Sequence, residues 1–269
     1  MRKILFFLLT FTLVLTSCGE YNKILKSTDY DIKYSYAKKY FNMEKYDRSA
    51  TLLEELVSLF KGTDKAEESL FLLAQSYYGQ EDYGTASEYF KTYYETYPKG
   101  RFAELSRYYS GYGLYLQSPD PRLDQSKSYE AIQQLQLYLE YYPQSQRAKD
   151  AQNSMFELQE KLAQKEFNAA KLYYNLGTYM GNNFLSSIVT SKAALKDYPY
   201  TKLREDFMFL IISARYQMAK VSVDKKLQGR YRDVVDEYYN YTNEFPEGKH
   251  IEDVQKYYDY CKDHIHEVY

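Results

Sequence analysis

Residues 66–98 read AEESLFLLAQSYYGQEDYGTASEYFKTYYETYP. Within them Leu70, Leu73, Ala74, Tyr77, Ala86 and Phe90 return to one face of a helix turning once every ~3.6 residues, on either side of a break near Gln80. The stretch therefore predicts two helices packed antiparallel. Ala86 is small enough to let the two backbones approach, and the larger residues fill the space between them. Pro98 ends the second helix, because its nitrogen carries no proton to continue the ladder.

The same punctuation recurs. Tyr97-Pro98 is followed by Tyr142-Pro143, Tyr198-Pro199 and Phe245-Pro246, and Phe60-Lys61-Gly62 is an incomplete first copy. Fourteen residues before each closing aromatic stand Tyr46, Tyr83, Ser128, Phe184 and Tyr231. Three residues after those come Ser49, Ala86, Ala131 and Ser187, with Val234 the exception; seven after come Leu53, Phe90, Leu135, Ser191 and Tyr238. These spacings are those of the roughly 34-residue tetratricopeptide pattern, with Leu70 in place of its first tryptophan. They predict an all-α chain: a right-handed superhelical solenoid of about five tetratricopeptide-like helix pairs plus a C-terminal helix. The pairs fall near 30–60, 66–97, 102–142, 148–198 and 202–245, and the last helix near 250–268. Ser118-Pro119-Asp120-Pro121 lengthens the third pair, and a charged stretch, Val223-Asp224-Lys225-Lys226, joins the helices of the fifth. The first helix of the fourth pair is long, about 148–180, with a kink expected near Gly177 or Gly181. Residues 30–147 are read as the N-terminal repeats, and 148–269 as the C-terminal repeats and terminal helix.

The N-terminus reads as an address. Arg2 and Lys3 precede an apolar run from Ile4 to Leu15, too short for a spanning helix of about 20 residues and suited to a secretory signal. Leu15-Thr16-Ser17-Cys18 resembles the lipobox of bacterial lipoproteins. That resemblance implies a signal peptide at 1–17, diacylglycerol and N-acyl chains on Cys18, and an anchored linker at 18–29. Several acyl chains hold far better than one, since each buried CH₂ adds about 0.8 kcal/mol. Gly19-Glu20-Tyr21-Asn22 contains no aspartate-rich tract, which favours retention on the periplasmic face.

Composition excludes several functions. The net charge of −2 gives no basic excess for nucleic acid. His250, His264 and His266 form no metal-binding spacing, Cys261 has no CxxC partner, and no phosphate loop or nucleophile elbow occurs. No catalytic residue, metal ligand or cofactor other than the lipid is expected. Glu54-Glu55 and Glu67-Glu68 read as solvated helix faces, Asp120 and Asp124 as turn residues, and Cys261 as a half-buried spectator. What stands out is 35 tyrosines and no tryptophan. Neighbours such as Tyr77-Tyr78, Tyr93-Tyr94 and Tyr108-Tyr109 diverge by about 100° on a helix, so one ring is expected to pack and the other to reach the flank. Most rings should seal helix seams; the rest suit a groove for an extended polypeptide.

Taken together the chain resembles the outer-membrane protein assembly lipoproteins known as BamD or YfiO. The resemblance runs through the lipobox at Cys18, Asn22-Lys23-Ile24-Leu25-Lys26, Tyr46-Asp47-Arg48-Ser49-Ala50, Phe60-Lys61-Gly62-Thr63, Tyr83 to Phe90, the Ser118 to Gln125 loop, Ala170 to Tyr174 and Asp197-Tyr198-Pro199. It implies a non-enzymatic subunit of the machinery that inserts β-barrel proteins. Its partners would be the POTRA-containing insertase, other subunits of the machinery and unfolded outer-membrane proteins. Carried onto this chain, it implies peptide binding by Tyr34, Tyr40, Tyr77 and Tyr78, and docking by Lys192 and Lys196, with Thr190 standing where an arginine is expected. Two other readings compete. A glycan-binding tetratricopeptide lipoprotein would favour tryptophan platforms, and a cell-wall hydrolase would need a catalytic cluster.

Overall fold

The structure is a computed structural model and describes residues 19–266. The expected signal peptide at 1–17 and the expected acylation site, Cys18, lie outside the described residues. Residues 19–25 are helical. Then follow α1 (Tyr30–Asn42), α2 (Tyr46–Leu59), α3 (Ala66–Gly79), α4 (Tyr83–Thr96), α5 (Ala103–Leu116), α6 (Ser126–Tyr141), α7 (Ala148–Leu176), α8 (Asn183–Asp197), α9 (Arg204–Lys220), α10 (Asp224–Glu244) and α11 (Ile251–Asp263). No strand occurs among the described residues. The fold is an all-α helical repeat.

Two compact units divide it. Up to Met155, all but the loop 119–125 belongs to the first; that loop and everything from Phe156 onward belong to the second. The units thus part within α7, whereas the sequence pattern divides the repeats at 147/148. In the first unit each helix from α1 to α6 packs on the next, and α1 also meets α3. In the second, α8 to α11 pack consecutively and α9 also meets α11.

The helix boundaries have local causes. The Asp29 carboxylate accepts from the N–H groups of Asp31 and Ile32 at 3.1 and 3.0 Å, Asp82 caps Thr85 at 3.1 Å and Asn182 caps Leu185 at 3.2 Å. At the other ends, Tyr97, Tyr198 and Phe245 share one conformation, φ −124°, −125° and −128° with ψ 67°, 65° and 68°. A following proline drives its predecessor out of the helical region, which is why the stops are alike. Helix α7 ends at Leu176, short of the expected 180, so Gly177 and Gly181 lie beyond its end and not at a kink within it. Gly177 takes φ +56°, the left-handed residue that closes a helix.

The small positions do what their size predicts. Ser49, Ala86, Ala131, Ser187 and Val234 are fully buried, as are Leu53, Phe90, Leu135 and Ser191, whereas Tyr238 is half-buried. At Gly113 a Cβ would lie 3.0 Å from the Tyr83 carbonyl oxygen and collide with the Ser87 hydroxyl, so α4 and α5 meet backbone to backbone.

A polar contact recurs where one pair passes to the next. The Tyr93 hydroxyl of α4 donates to Glu67 of α3 and accepts from the Phe102 N–H at 3.0 Å, while Glu67 also accepts from the Arg101 N–H at 2.7 Å. Tyr138 donates to Ser145 at 2.6 Å, and Ser145 donates to Glu104 at 2.6 Å. Tyr241 donates to Glu205 at 2.6 Å and accepts from the His250 N–H at 3.3 Å. The fourth pair has Ala194 in place of the tyrosine, and Glu160 takes the Lys202 N–H directly at 3.1 Å. The paired acids are therefore not merely solvated faces. Glu54 accepts from Tyr77, Glu55 from the buried Lys33 at 2.6 Å, and Glu68 from Tyr34 at 2.6 Å.

Tyr93→Phe should lower the thermal unfolding midpoint, losing about 1–3 kcal/mol, because it leaves the Phe102 N–H without its acceptor. Tyr141→Phe, at an exposed ring, should leave the midpoint unchanged; equal midpoints for both variants would remove the lock from the stability of the repeat.

Candidate protein-binding surfaces

In the first unit the four tyrosines expected from the resemblance to bind peptide divide by depth. Tyr34 is buried, edge-on to Phe60 at 5.5 Å. Tyr40 is buried against Tyr21 at 5.6 Å, with the Arg48 guanidinium over both rings. These two rings are spent inside the unit and shape its wall from behind. Helix α1 is covered by both α2 and α3, so more of its circumference is interior than a single apolar stripe indicates. Tyr77 is half-buried, stacked on Tyr89 at 5.4 Å with its hydroxyl on Glu54. Tyr78 is half-buried and lines a recess of about 160 Å³ with Phe41, Tyr46, Gln75, Phe90 and Tyr109. Tyr109 meets Tyr78 edge to face at 5.0 Å.

Phe41, Gln75 and Tyr109 come from the first helices α1, α3 and α5 at 34-residue spacing; sequence reading named Tyr109 only as one of an adjacent pair and did not single out Phe41 or Gln75. Gln75 and Tyr78 are three apart and so share a helix face, which was a readable signal. The expected division of adjacent tyrosines holds at Tyr108 and Tyr109, buried and half-buried. It fails at Tyr93 and Tyr94, both buried, because α4 is covered by α3 on one side and α5 on the other.

Polar groups around Tyr34 carry charge to the same unit. Lys38 donates to Glu68 at 2.7 Å and lies 5.4 Å from the Tyr34 ring. Hydrogen bonds from Lys38 and then Tyr34 hold the Glu68 carboxyl below its ordinary 4.5. Burial, followed by the bond to Glu68, raises the Tyr34 hydroxyl, so it stays a donor at neutral pH.

In the second unit Lys192 is not a free cation. It donates to Glu237 at 2.7 Å, and Glu237 also accepts from Arg215 at 3.0 Å. Burial alone would raise the Glu237 carboxyl, but the bonds from Lys192 and Asn240 and the nearby charges outweigh it and hold it down. Lys192, Glu237 and Asn240 line an open groove of about 490 Å³ between α8, α9 and α10, together with the Arg204–Glu244 pair. Lys196, one turn along α8, is exposed. A second hollow of about 250 Å³ lies between α7, α9 and α11. Its wall is a run of near-parallel rings: His250 on Phe209 at 3.9 Å, Phe209 near Tyr257 at 6.4 Å and Tyr257 on Tyr216 at 4.4 Å. Asp206 fixes its mouth, accepting from Lys249 at 2.8 Å and facing the His250 Nε2 at 3.1 Å.

Cys261 is fully buried and its thiol is pushed up to about 12 by burial, so at neutral pH it is not a thiolate nucleophile. Among the described residues no group of three or more His, Cys, Asp and Glu side chains is placed to hold a metal ion, and no helix is long and apolar enough to cross a membrane. The residues brought together are aromatic rings and paired charges on helix faces, which suits binding of polypeptide.

A family model described as YfiO, outer membrane lipoprotein, matches residues 29–228, more than half of the chain. The match takes in α1 to α9 and the start of α10. No curated protein matches the chain.

Because the Glu68 carboxyl is depressed in the folded state, its contribution to stability is present above its ordinary value of 4.5 and is lost as pH falls through the folded value. Glu68→Gln should therefore flatten the fall of the urea midpoint with acid, most visibly below pH ~4.5, with little change in that slope near neutrality; an unaltered acid profile would show that the Lys38–Glu68–Tyr34 group does not govern it.

Proposed function

Since the chain belongs to the YfiO family of outer membrane lipoproteins, we propose that it is a non-enzymatic scaffold of the β-barrel assembly machinery, held at the periplasmic face of the outer membrane by an acylated Cys18. In this reading it binds the POTRA-containing insertase and other subunits, receives unfolded outer-membrane proteins and helps their insertion. The observation that carries it is the family match together with the aromatic recess formed by three successive first helices, α1, α3 and α5, in the first unit. A peptide laid across those helices would meet Tyr78, Phe41 and Tyr109 and the edge of Tyr77. Tyr34 and Tyr40 would support the wall. In the second unit Lys196 is open to a partner's carboxylate, whereas Lys192 would have to share or release Glu237.

Affinity purification from detergent-solubilised outer membranes should bring down a POTRA-containing barrel protein. Recovery of glycan with no barrel protein would overturn the assembly reading in favour of a glycan-binding lipoprotein. Cys18→Ser should move the protein out of the membrane fraction and abolish the fatty-acid mass on the mature amino end.

A further inference from the structure

Residues 172–191 carry no charged side chain, and a lysine stands at either end, Lys171 and Lys192. In a chain that is 27% charged this is an unusual interruption. It forms the tip of the α7–α8 hairpin, within the second unit. Leu172 and Leu176 at the end of α7, Tyr179 and Met180 in the turn, and Leu185 and Val189 on α8 are all exposed, Tyr179 at 68% and Met180 at 90%. Each helical pair is spaced by four residues and so shares a face. Single exposed apolar residues are ordinary; a contiguous cluster marks a surface that meets something.

The turn is firmly built. The Asn183 N–H donates to the Gly177 carbonyl at 2.9 Å, the Asn183 amide donates to the Tyr179 carbonyl at 2.7 Å, and Asn182 caps α8. Met180 sits at φ +53°, a region that side chains other than asparagine, aspartate and glycine seldom adopt. The backbone thus holds a long apolar side chain at the apex, where the fold itself gives it nothing to pack on.

We propose that this tip is a lipid-contacting element that enters the surface of a phospholipid bilayer. The arrangement fits that occupant. Apolar side chains at the apex would reach the acyl boundary and Tyr179 the headgroup level. Exposed Lys171, just behind the tip on α7, would lie within reach of phosphates, with Lys192 already engaged by Glu237. A strip free of carboxylates is not repelled by anionic headgroups. The family is one of outer membrane lipoproteins, so a bilayer is always within reach. The inference rests on that membrane location and not on the insertase or client reading, so either can fail alone.

The chain has no tryptophan, so Met180→Trp supplies a single reporter. The full lipidated protein carrying it would be reconstituted into phosphatidylethanolamine vesicles, with and without phosphatidylglycerol. Its emission should shift to shorter wavelength and be quenched by brominated acyl chains, more strongly with the anionic lipid. Tyr200→Trp, at the other end of α8 and 86% exposed, should stay unquenched. Adding Leu176→Asp and Tyr179→Asp to Met180→Trp should return quenching to the Tyr200→Trp level, with circular dichroism melts confirming that each variant is folded. A folded Met180→Trp protein that is unquenched in vesicles overturns the proposal. So does an emission shift that appears only when solubilised membrane proteins are added, which would assign the tip to a protein partner.

Discussion

A carboxylate on each first helix from α3 onward is joined to the turn that opens the following pair or, for α9, the terminal helix, and this contact sets the register of the repeats. Glu67 and Glu160 take a backbone N–H of that turn directly, at Arg101 and Lys202. Glu104 acts through Ser145, and Glu205 through the Tyr241 hydroxyl that also receives the His250 N–H. The N–H groups at a helix start have no partner within the helix, and a charged acceptor there is worth more than a neutral one. Each pair is thereby told where its successor begins, which is the nearest-neighbour coupling on which stacked repeats depend. Tyrosine suits the role because its ring fills the seam and its hydroxyl bridges two polar groups; leucine could do only the first.

The periodic half of this design was legible in the sequence. The aromatic–proline stops at Tyr97, Tyr198 and Phe245 predicted helix ends, and their nearly identical backbone angles show one physical cause acting three times. The small residues at 49, 86, 131 and 187 marked the close approaches for the same reason. What could not be read was partnership across distance. Nothing local tells that Glu55 holds Lys33, or that Lys192 is engaged by Glu237 from another pair. Paired acids on a helix look solvated until the neighbouring helix brings tyrosines and lysines to them.

The candidate sites show the same limit. A tyrosine on a first helix reads as a surface ring when one apolar stripe is assumed. Helix α1 is embraced on two sides, and Tyr34 and Tyr40 become wall instead of contact. The recess that does open is assembled from Phe41, Gln75 and Tyr109, which stand at 34-residue spacing on three successive first helices, together with Tyr78. Their juxtaposition is a product of stacking, and a reading that scores each repeat alone passes over it.

Cys261 gives the second unit a silent sulfur. It is sealed among Ile212, Val234, Tyr241 and Val254, and burial keeps it protonated. Alkylating reagents need both access and thiolate, and this residue offers neither while α11 lies in place. Thiols installed at the surface for labelling therefore face no competition from it, and its own slow modification becomes a clock for how often the terminal helix lifts away from the core.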